Sequence, residues 1–281
     1  MSDTLRVGLV QINTRENKAA NLERAEELVA QAAERGAQLV ALPEYVDYLG
    51  PKDDTAPDAE TIPGPTTERF GALARRHAIW LLGGSMRERS ETPGKYYNTA
   101  VLYSPDGAIA ATYRKIHLFD IDLAGNVSAN ESATILPGDD VVTAEIDGHT
   151  AGLSICYDLR FPELYRMLAL AGAEILLVPA AFTMFTGKDH WHVLLKARAI
   201  ENQAYVLAPG QFGAHAPAAQ CYGHSVVIDP WGTVIAEASD AEGVVIADLD
   251  FAYLRKIRTQ LPSLANRRPS AYRERAALVG D

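Results

Sequence analysis

The stretch HTAGLSICYDLRFPELYRMLALAGAEILLVPA, residues 149–180, decides how the chain folds. It opens on an apolar run, AGLSIC, that reads as a strand. A turn carrying Asp158 and Arg160 follows, then a helix from about Pro162 to Ala171 with Glu163 near its start. It closes on EILLVPA (174–180), a very apolar second strand. Strand, helix and strand in succession form the unit of a layered α/β protein. Within that unit the place of Cys156 raises a chemical question. An inert packing cysteine belongs inside the apolar run. Cys156 stands instead at the strand end, just before the charged turn, where a nucleophile would sit.

The same alternation extends in both directions. Toward the N-terminus, VVTAEIDG pairs with HTAGLSIC as a hairpin, and YYNTAVLYSPDGAIAATYRK (96–115) is another, turning at Pro105-Asp106-Gly107. LRVGLVQI (5–12), QLVALPE (38–44) and IWLLGGSMRER (79–89) read as strands. NKAANLERAEELVAQAAERGA (17–37) and TTERFGALARRHA (66–78) have helical apolar spacing. Residues 50–65, rich in Pro, Asp and Thr, form a loop, and 116–138 form a long connection of the kind that carries function. Toward the C-terminus, DHWHVLLKARAIENQ (189–203) reads as a helix. AYVLAPGQ, GHSVVIDPWGTVIAEA and GVVIADLD supply strands, FAYLRKIRTQL is a last helix, and residues 262–281 are an extended basic tail. No repeat or linker divides the chain. The expectation is one domain over 1–281, with a core at about 5–250 and mixed sheets faced by helices.

At 281 residues the chain can bury a substantial core. A composition of 48% hydrophobic and 22% charged residues is that of an ordinary globular protein. The net charge of −10 argues against nucleic acid or an anionic membrane as partner. No apolar run approaches the roughly 18 residues that would span a bilayer, and the N-terminus has no secretory pattern. Two cysteines, Cys156 and Cys221, are no disulfide framework. The expectation is an intracellular, cytoplasmic protein with both thiols reduced.

Three reactive side chains fall at three strand ends. Glu44 ends LVALPE, Lys115 ends ATYRK and Cys156 ends AGLSIC. Each alone has an ordinary explanation: a solvated loop carboxylate, an edge charge, a packed thiol. Side chains just beyond strand ends can also converge on one crevice held by a rigid sheet. Together they supply what a thiol hydrolase requires. A thiol with a pKa of about 8.5 is mostly protonated at neutral pH and needs a base, or a cation that favours thiolate. Glu44 can be that base and Lys115 that cation. The oxyanion formed on attack at a carbonyl needs preorganised donors, for which the Lys115 ammonium and the Tyr157 N–H are candidates.

LPEY (42–45), YRKIHLFD (113–120) and ICYDLRFPELYR (155–166), in that order, resemble the Glu–Lys–Cys signature of the nitrilase-like carbon–nitrogen hydrolase superfamily. The resemblance runs from about residue 5 to 272 and includes GAEILLVPAAF, TGKDHWHVLLKARAIENQAYV and YGHSVVIDPWGTVIAE. It implies an α-β-β-α sandwich that pairs face to face as a homodimer or higher homo-oligomer, the tail against a partner subunit. It implies Cys156 as nucleophile, Glu44 as general base and Lys115 as oxyanion-stabilising cation. Glu131, in NESATILPG, matches a second glutamate that holds the lysine and helps position substrate. Asp158, Arg160 and Glu163 are expected to pair structurally around the helix that follows. No metal and no organic cofactor are implied.

The flanking segments look most like the branch holding the deaminated-glutathione amidases and ω-amidases. That likeness implies a small-molecule substrate, the amide of a small acidic 2-oxo compound, with deaminated glutathione ahead of 2-oxoglutaramate. Ammonia release from a primary amide is the implied outcome. N-carbamoyl amino acids come third, and nitriles last. Phe182, Thr183 and Thr186, in the loop after VPAAF, are expected to line the pocket. Two rival readings are a histidine-based or metal-dependent hydrolase and a non-enzymatic scaffold. His190 and His192 point about 200° apart on a helix and do not readily share an ion. His117 and His224 flank strand ends, but no HExxH or CxxC pattern exists. A scaffold would have shed a member of the triad, and all three are present.

Overall fold

The computed structural model describes residues 3–50, 59–125, 127–215 and 219–271. In chain order the elements are β1 (Thr4–Gln11), α1 (Lys18–Glu34), β2 (Leu39–Ala41), α2 (Pro65–His77), β3 (Trp80–Arg89), β4 (Tyr96–Tyr103) and β5 (Ile109–Arg114). A small hairpin, β6 (Asp120–Leu123) with β7 (Val127–Asn130), precedes β8 (Thr143–Ile146), β9 (His149–Leu153), α3 (Pro162–Leu170) and β10 (Ile175–Leu177). Then come α4 (Met184–Asn202), β11 (Tyr205–Ala208), a second small hairpin β12 (Phe212–Ala214) and β13 (Gln220–Tyr222), β14 (Val226–Ile228), β15 (Val234–Glu237), β16 (Gly243–Asp250) and α5 (Phe251–Gln260).

Two six-stranded sheets result, ordered β16-β1-β2-β3-β4-β5 and β15-β14-β11-β10-β9-β8. Both are mixed. β1, β2 and β3 run parallel while β16 and β4 pair antiparallel to them; β9, β10 and β11 run parallel between antiparallel edges.

The period-two alternation of strand side chains explains the layering. In β1, Leu5, Val7 and Leu9 point into a core shared with Leu153, Leu177, Leu207 and Val227 of the second sheet. Val10 points the other way, onto Leu22, Ala25, Val29 and Ala32 of α1. Leu82 and Leu102 join the inter-sheet core, whereas their neighbours Leu81 and Val101 meet Phe70 and Leu73 of α2. On the far side, Leu168 of α3 lies so close to the second sheet that a Cβ at Gly152 would stand 2.9 Å from its Cδ1. Overpacking of that kind typically costs about 1–3 kcal/mol. The order is helix, sheet, sheet, helix: an α-β-β-α sandwich.

Three segments differ from the sequence expectation. The 116–138 connection carries β6, β7 and a 3-10 turn at Glu131–Ala133. Its strands are mostly exposed on both faces, so no apolar alternation betrays them. α4 begins at Met184 rather than 189, because Thr183 is its N-cap and Thr186 lies in its first turn. The β12–β13 hairpin lies between AYVLAPGQ and GHSVVIDPWGTVIAEA, where the sequence reading places no element. Of the expected tail, 272–281 lie outside the described residues, as do 51–58 of the expected loop; 269–271 form a 3-10 turn.

Candidate active site

The three strand-end residues owe their places to local backbone chemistry. Past β2 the chain continues as Leu42-Pro43-Glu44, still bonded to β3 by the Leu42 N–H to the Leu82 carbonyl, 2.9 Å. β3 bulges here. Gly84 has φ +66, and a Cβ on it would stand 2.1 Å from the Pro43 carbonyl oxygen, so only glycine lets the Glu44 segment lie this close. Lys115 directly follows β5, its N–H on the Asn98 carbonyl at 2.9 Å. Cys156 follows β9 by way of Ser154 and Ile155. Its own φ is +47, a left-handed conformation that costs a non-glycine residue on the order of 1–3 kcal/mol. Two bonds hold it there: the Cys156 N–H to the Pro179 carbonyl, 2.9 Å, and the Ile155 N–H to Asp158 Oδ2, 2.8 Å. A 3-10 turn, Cys156–Arg160, starts at once, so the Tyr157 N–H lies at a helical N-terminus, where such groups lack an intrahelical partner.

Together they form one buried cluster. Lys115 Nζ lies 3.1 Å from Glu44 Oε1 and 3.1 and 2.9 Å from Glu131 Oε1 and Oε2. Glu44 is fixed further by the Asn98 amide on Oε1 and the Ala181 N–H on Oε2, both at 2.8 Å. Glu131 accepts from the Phe119 N–H at 2.6 Å and the Tyr45 hydroxyl at 2.8 Å. Cys156 lines the same cavity as Glu44 and Lys115, near enough for the charges of both to act on its thiol. Lys115 and Glu44 are each only 2% exposed.

The electrostatics follow from burial and these contacts. Burial acts to lower the Lys115 pKa, but the charges of Glu44 and Glu131 outweigh it and hold the ammonium well above its ordinary value. Burial acts to raise the Glu131 carboxyl, and Lys115 overcomes it, so the carboxylate stays below its ordinary value. Burial, then the Glu44 charge, push the Cys156 thiol well above its ordinary value, with Lys115 opposing. These influences favour the neutral thiol, with the Glu44 carboxylate beside it.

A cavity of about 730 Å³ opens over this cluster. Glu44, Lys115, Glu131 and Cys156 line it, as do Tyr157, Phe182, Thr183 and Thr186. The two threonine hydroxyls bond to each other at 2.9 Å. The second cysteine, Cys221, also lines the cavity; it is a free buried thiol, raised by burial and then by Glu44.

The expected pairing of Asp158, Arg160 and Glu163 around the following helix is corrected. Asp158, fully buried, accepts from the Tyr113 hydroxyl at 2.7 Å and from the His117 N–H at 3.0 Å. It ties the backbone flanking Lys115 to the Cys156 turn. Arg160 faces the cavity, its guanidinium 5.7 and 5.2 Å from the Tyr157 and Phe182 rings. Glu163 is exposed. Asn98, Tyr45 and Lys188 were missed by sequence reasoning. Asn98 and Tyr45 sit in strand and turn segments with nothing to mark them, and Lys188 lies one residue before the expected start of its helix.

The chain belongs to the carbon–nitrogen hydrolase family, hydrolases of amide-type carbon–nitrogen bonds, whose model matches residues 6–259. It is 44% identical to a deaminated glutathione amidase of Synechocystis sp. over 262 residues, 92% of this chain and 96% of that one. It is 42% identical to omega-amidase NIT2 of Xenopus tropicalis over 267 residues, 95% of this chain and 96% of that one. Among solved structures it superposes on the C. elegans NitFhit protein with a TM-score of 0.88 at 36% identity, covering 96% of this chain and 66% of that longer one.

Proposed function

We propose that this chain hydrolyses the amide bond of deaminated glutathione through a thioester on Cys156. One observation carries the reading: Cys156, at a left-handed turn facing the cavity, stands beside Glu44 and Lys115, and Lys115 bridges Glu44 and Glu131.

Glu44 takes the thiol proton as sulfur attacks the carbonyl carbon, and the carbonyl electron pair moves onto oxygen. Lys115 Nζ and the Tyr157 N–H stabilise that oxyanion, a single such donor being worth about 2.7–4 kcal/mol. Collapse breaks the carbon–nitrogen bond as Glu44 returns its proton to nitrogen. Water, deprotonated by Glu44, then attacks the thioester, and the departing sulfur recovers the proton. Glu131 holds Lys115 in place through both oxygens. No step calls on a metal or organic cofactor.

The leaving group follows from the substrate. Deaminated glutathione carries an oxo group where glutathione has its α-amine, so its cleaved amide is a secondary one and releases cysteinylglycine and 2-oxoglutarate. Ammonia is released only from a primary amide such as 2-oxoglutaramate. That ω-amidase reading is the alternative, supported by the relative of that name. The cavity favours the larger compound: besides the buried Lys115, two cations, Arg160 and Lys188, line it. Deaminated glutathione has two carboxylates to meet them and 2-oxoglutaramate one. Phe182, Thr183 and Thr186 contribute walls and hydroxyls. An N-carbamoyl amino acid with an uncharged side chain, like 2-oxoglutaramate, offers these two cations one carboxylate.

The same reading takes the chain as a single hydrolase domain working in the cytoplasm as a homodimer, with its tail (262–281) against the partner. Exposed Met167 and Leu170 on α3, with Val193 and Ile200 on α4, support such pairing of the outer helical layer. Among the described residues no helix is long and apolar enough to cross a membrane.

The test is quenched turnover with intact-protein mass spectrometry, using deaminated glutathione, 2-oxoglutaramate and an N-carbamoyl amino acid in parallel. The expected result is a 2-oxoglutaryl adduct on Cys156, absent in Cys156→Ala, and the highest kcat/KM for deaminated glutathione. A Cys156→Ala chain with full turnover refutes the chemistry, and a carbamoyl compound ranked first refutes the substrate.

A further inference from the structure

Away from the catalytic cluster, two imidazoles and a carboxylate from three separate elements converge on one point. His192 projects from α4, His224 from the segment entering β14, and Glu237 from the end of β15. His192 Nε2 lies 2.9 Å and His224 Nδ1 2.7 Å from the same oxygen, Glu237 Oε1. The three ligand atoms all lie within 4.8 Å of one another. His190 takes no part, being bonded to Arg160, so the pairing is not the i, i+2 pair of the HWH motif.

His224 is held for this. Its other ring nitrogen, Nε2, lies 3.4 Å from Asp240 Oδ1, the outer-sphere carboxylate that typically fixes the tautomer of a metal-bound histidine. The Tyr222 ring stacks on it at 4.3 Å with 26° between planes. Its backbone is left-handed, φ +53, and its carbonyl is locked by the Trp191 indole N–H at 2.9 Å.

We propose that His192, His224 and Glu237 form a structural binding site for a zinc-class divalent ion, with water in the fourth position. Two imidazole nitrogens and one carboxylate oxygen suit zinc, at bond lengths of about 2.0–2.2 Å, and disfavour magnesium and calcium. Ligands of a tetrahedral ion stand roughly 3.3 Å apart at those lengths. The two contacts to Glu237, now 2.9 and 2.7 Å, therefore lengthen by about half an ångström. The two imidazole nitrogens, already within 4.8 Å of each other, settle to the same spacing. The ion takes the place of the two imidazole–carboxylate hydrogen bonds. None of the three ligands lines the catalytic cavity. They lie behind its wall: the Tyr222 N–H donates to the Phe182 carbonyl at 2.8 Å, and Trp191, beside His192, packs on the Phe182 ring at 5.1 Å. A bound ion therefore ties α4 to β15 and stiffens that wall without entering the chemistry.

The test is titration of the chelator-stripped full chain with Co²⁺, read by the visible bands of a tetrahedral site, and with Zn²⁺, read by calorimetry and Tm. Both are repeated in Cys156→Ala, His192→Asn and Glu237→Gln. The last two substitutions lie on half-exposed or exposed side chains, so folding is kept. The expected result is one ion per chain, a higher Tm with Zn²⁺, unchanged binding in Cys156→Ala, and at least tenfold weaker binding in the other two. No binding to the intact chain overturns the proposal. So does an ion lost in Cys156→Ala but kept in Glu237→Gln, since the active-site thiol would then be its ligand.

Discussion

Replacing Lys115 by methionine removes a cation of similar volume and leaves two carboxylates buried opposite each other. The structure sets the size of the effect. Three contacts of Lys115 Nζ, at 3.1, 3.1 and 2.9 Å, disappear. Breaking a buried ion pair by removing one partner typically costs about 3–5 kcal/mol. Glu44 keeps Asn98 and Ala181, and Glu131 keeps Phe119 and Tyr45, so the lower end, about 3 kcal/mol, is expected. At about 2 °C per kcal/mol for a protein of this size, Tm falls by roughly 6 °C.

The pH dependence has a definite sign. In the wild type, Lys115 holds the Glu131 carboxyl below its ordinary 4.5, so the stability it gives is present above that pH and is lost as pH falls through the lower, folded-state value. In the variant the uncompensated carboxylate pair takes up a proton in the fold. Its folded-state pKa is then raised, and stability is lost as pH climbs above the ordinary value. The deficit of the variant therefore grows with pH, by up to about 1.4 kcal/mol per pH unit for one proton. Urea unfolding of both proteins at pH 5 and pH 8 measures it. A deficit equal at the two pH values, or below about 1 kcal/mol at pH 8, would refute the view that Lys115 bridges the two carboxylates.

Other perturbations test the remaining parts. Arg160→Gln is expected to raise KM for an anionic amide about 10- to 100-fold, one charged hydrogen bond being worth about 1.5–3 kcal/mol, with kcat kept. A neutral amide should be unaffected, and equal losses on both amides would deny Arg160 its anion-binding role. Asp158→Asn turns an acceptor of four bonds into a mixed donor and should lower stability by about 1–3 kcal/mol. kcat should fall more than KM rises, measured on well-folded protein; full turnover would mean the Cys156 turn needs no brace. Gly84→Ala forces a Cβ toward the Pro43 carbonyl at positive φ and should destabilise by more than about 1 kcal/mol while impairing turnover. Wild-type melting and turnover together would contradict the argument for the Glu44 backbone.

What was legible in the sequence was whatever had a periodic or punctuated signal. The apolar alternation of β1 and the 3.6-residue stripe of α1 follow from side chains that each choose one of two sides. Segments with no buried face, such as Asp120–Leu123 and Val127–Asn130, give no such signal and were read as connection. The start of α4 was missed because its first turn is marked by a threonine cap rather than by apolar spacing.

The sequence by itself determined the layered α/β class and the three reactive groups at their strand ends, because strand termini and turn residues are local properties. Only the tertiary structure decided that Lys115 is shared between Glu44 and Glu131, that Asp158 reaches across to Tyr113 and His117, and that Arg160 faces the cavity. Those contacts join residues 16 to 71 positions apart, or depend on which way a turn aims its side chain. Such distances are set by how two sheets pack, which no local pattern encodes.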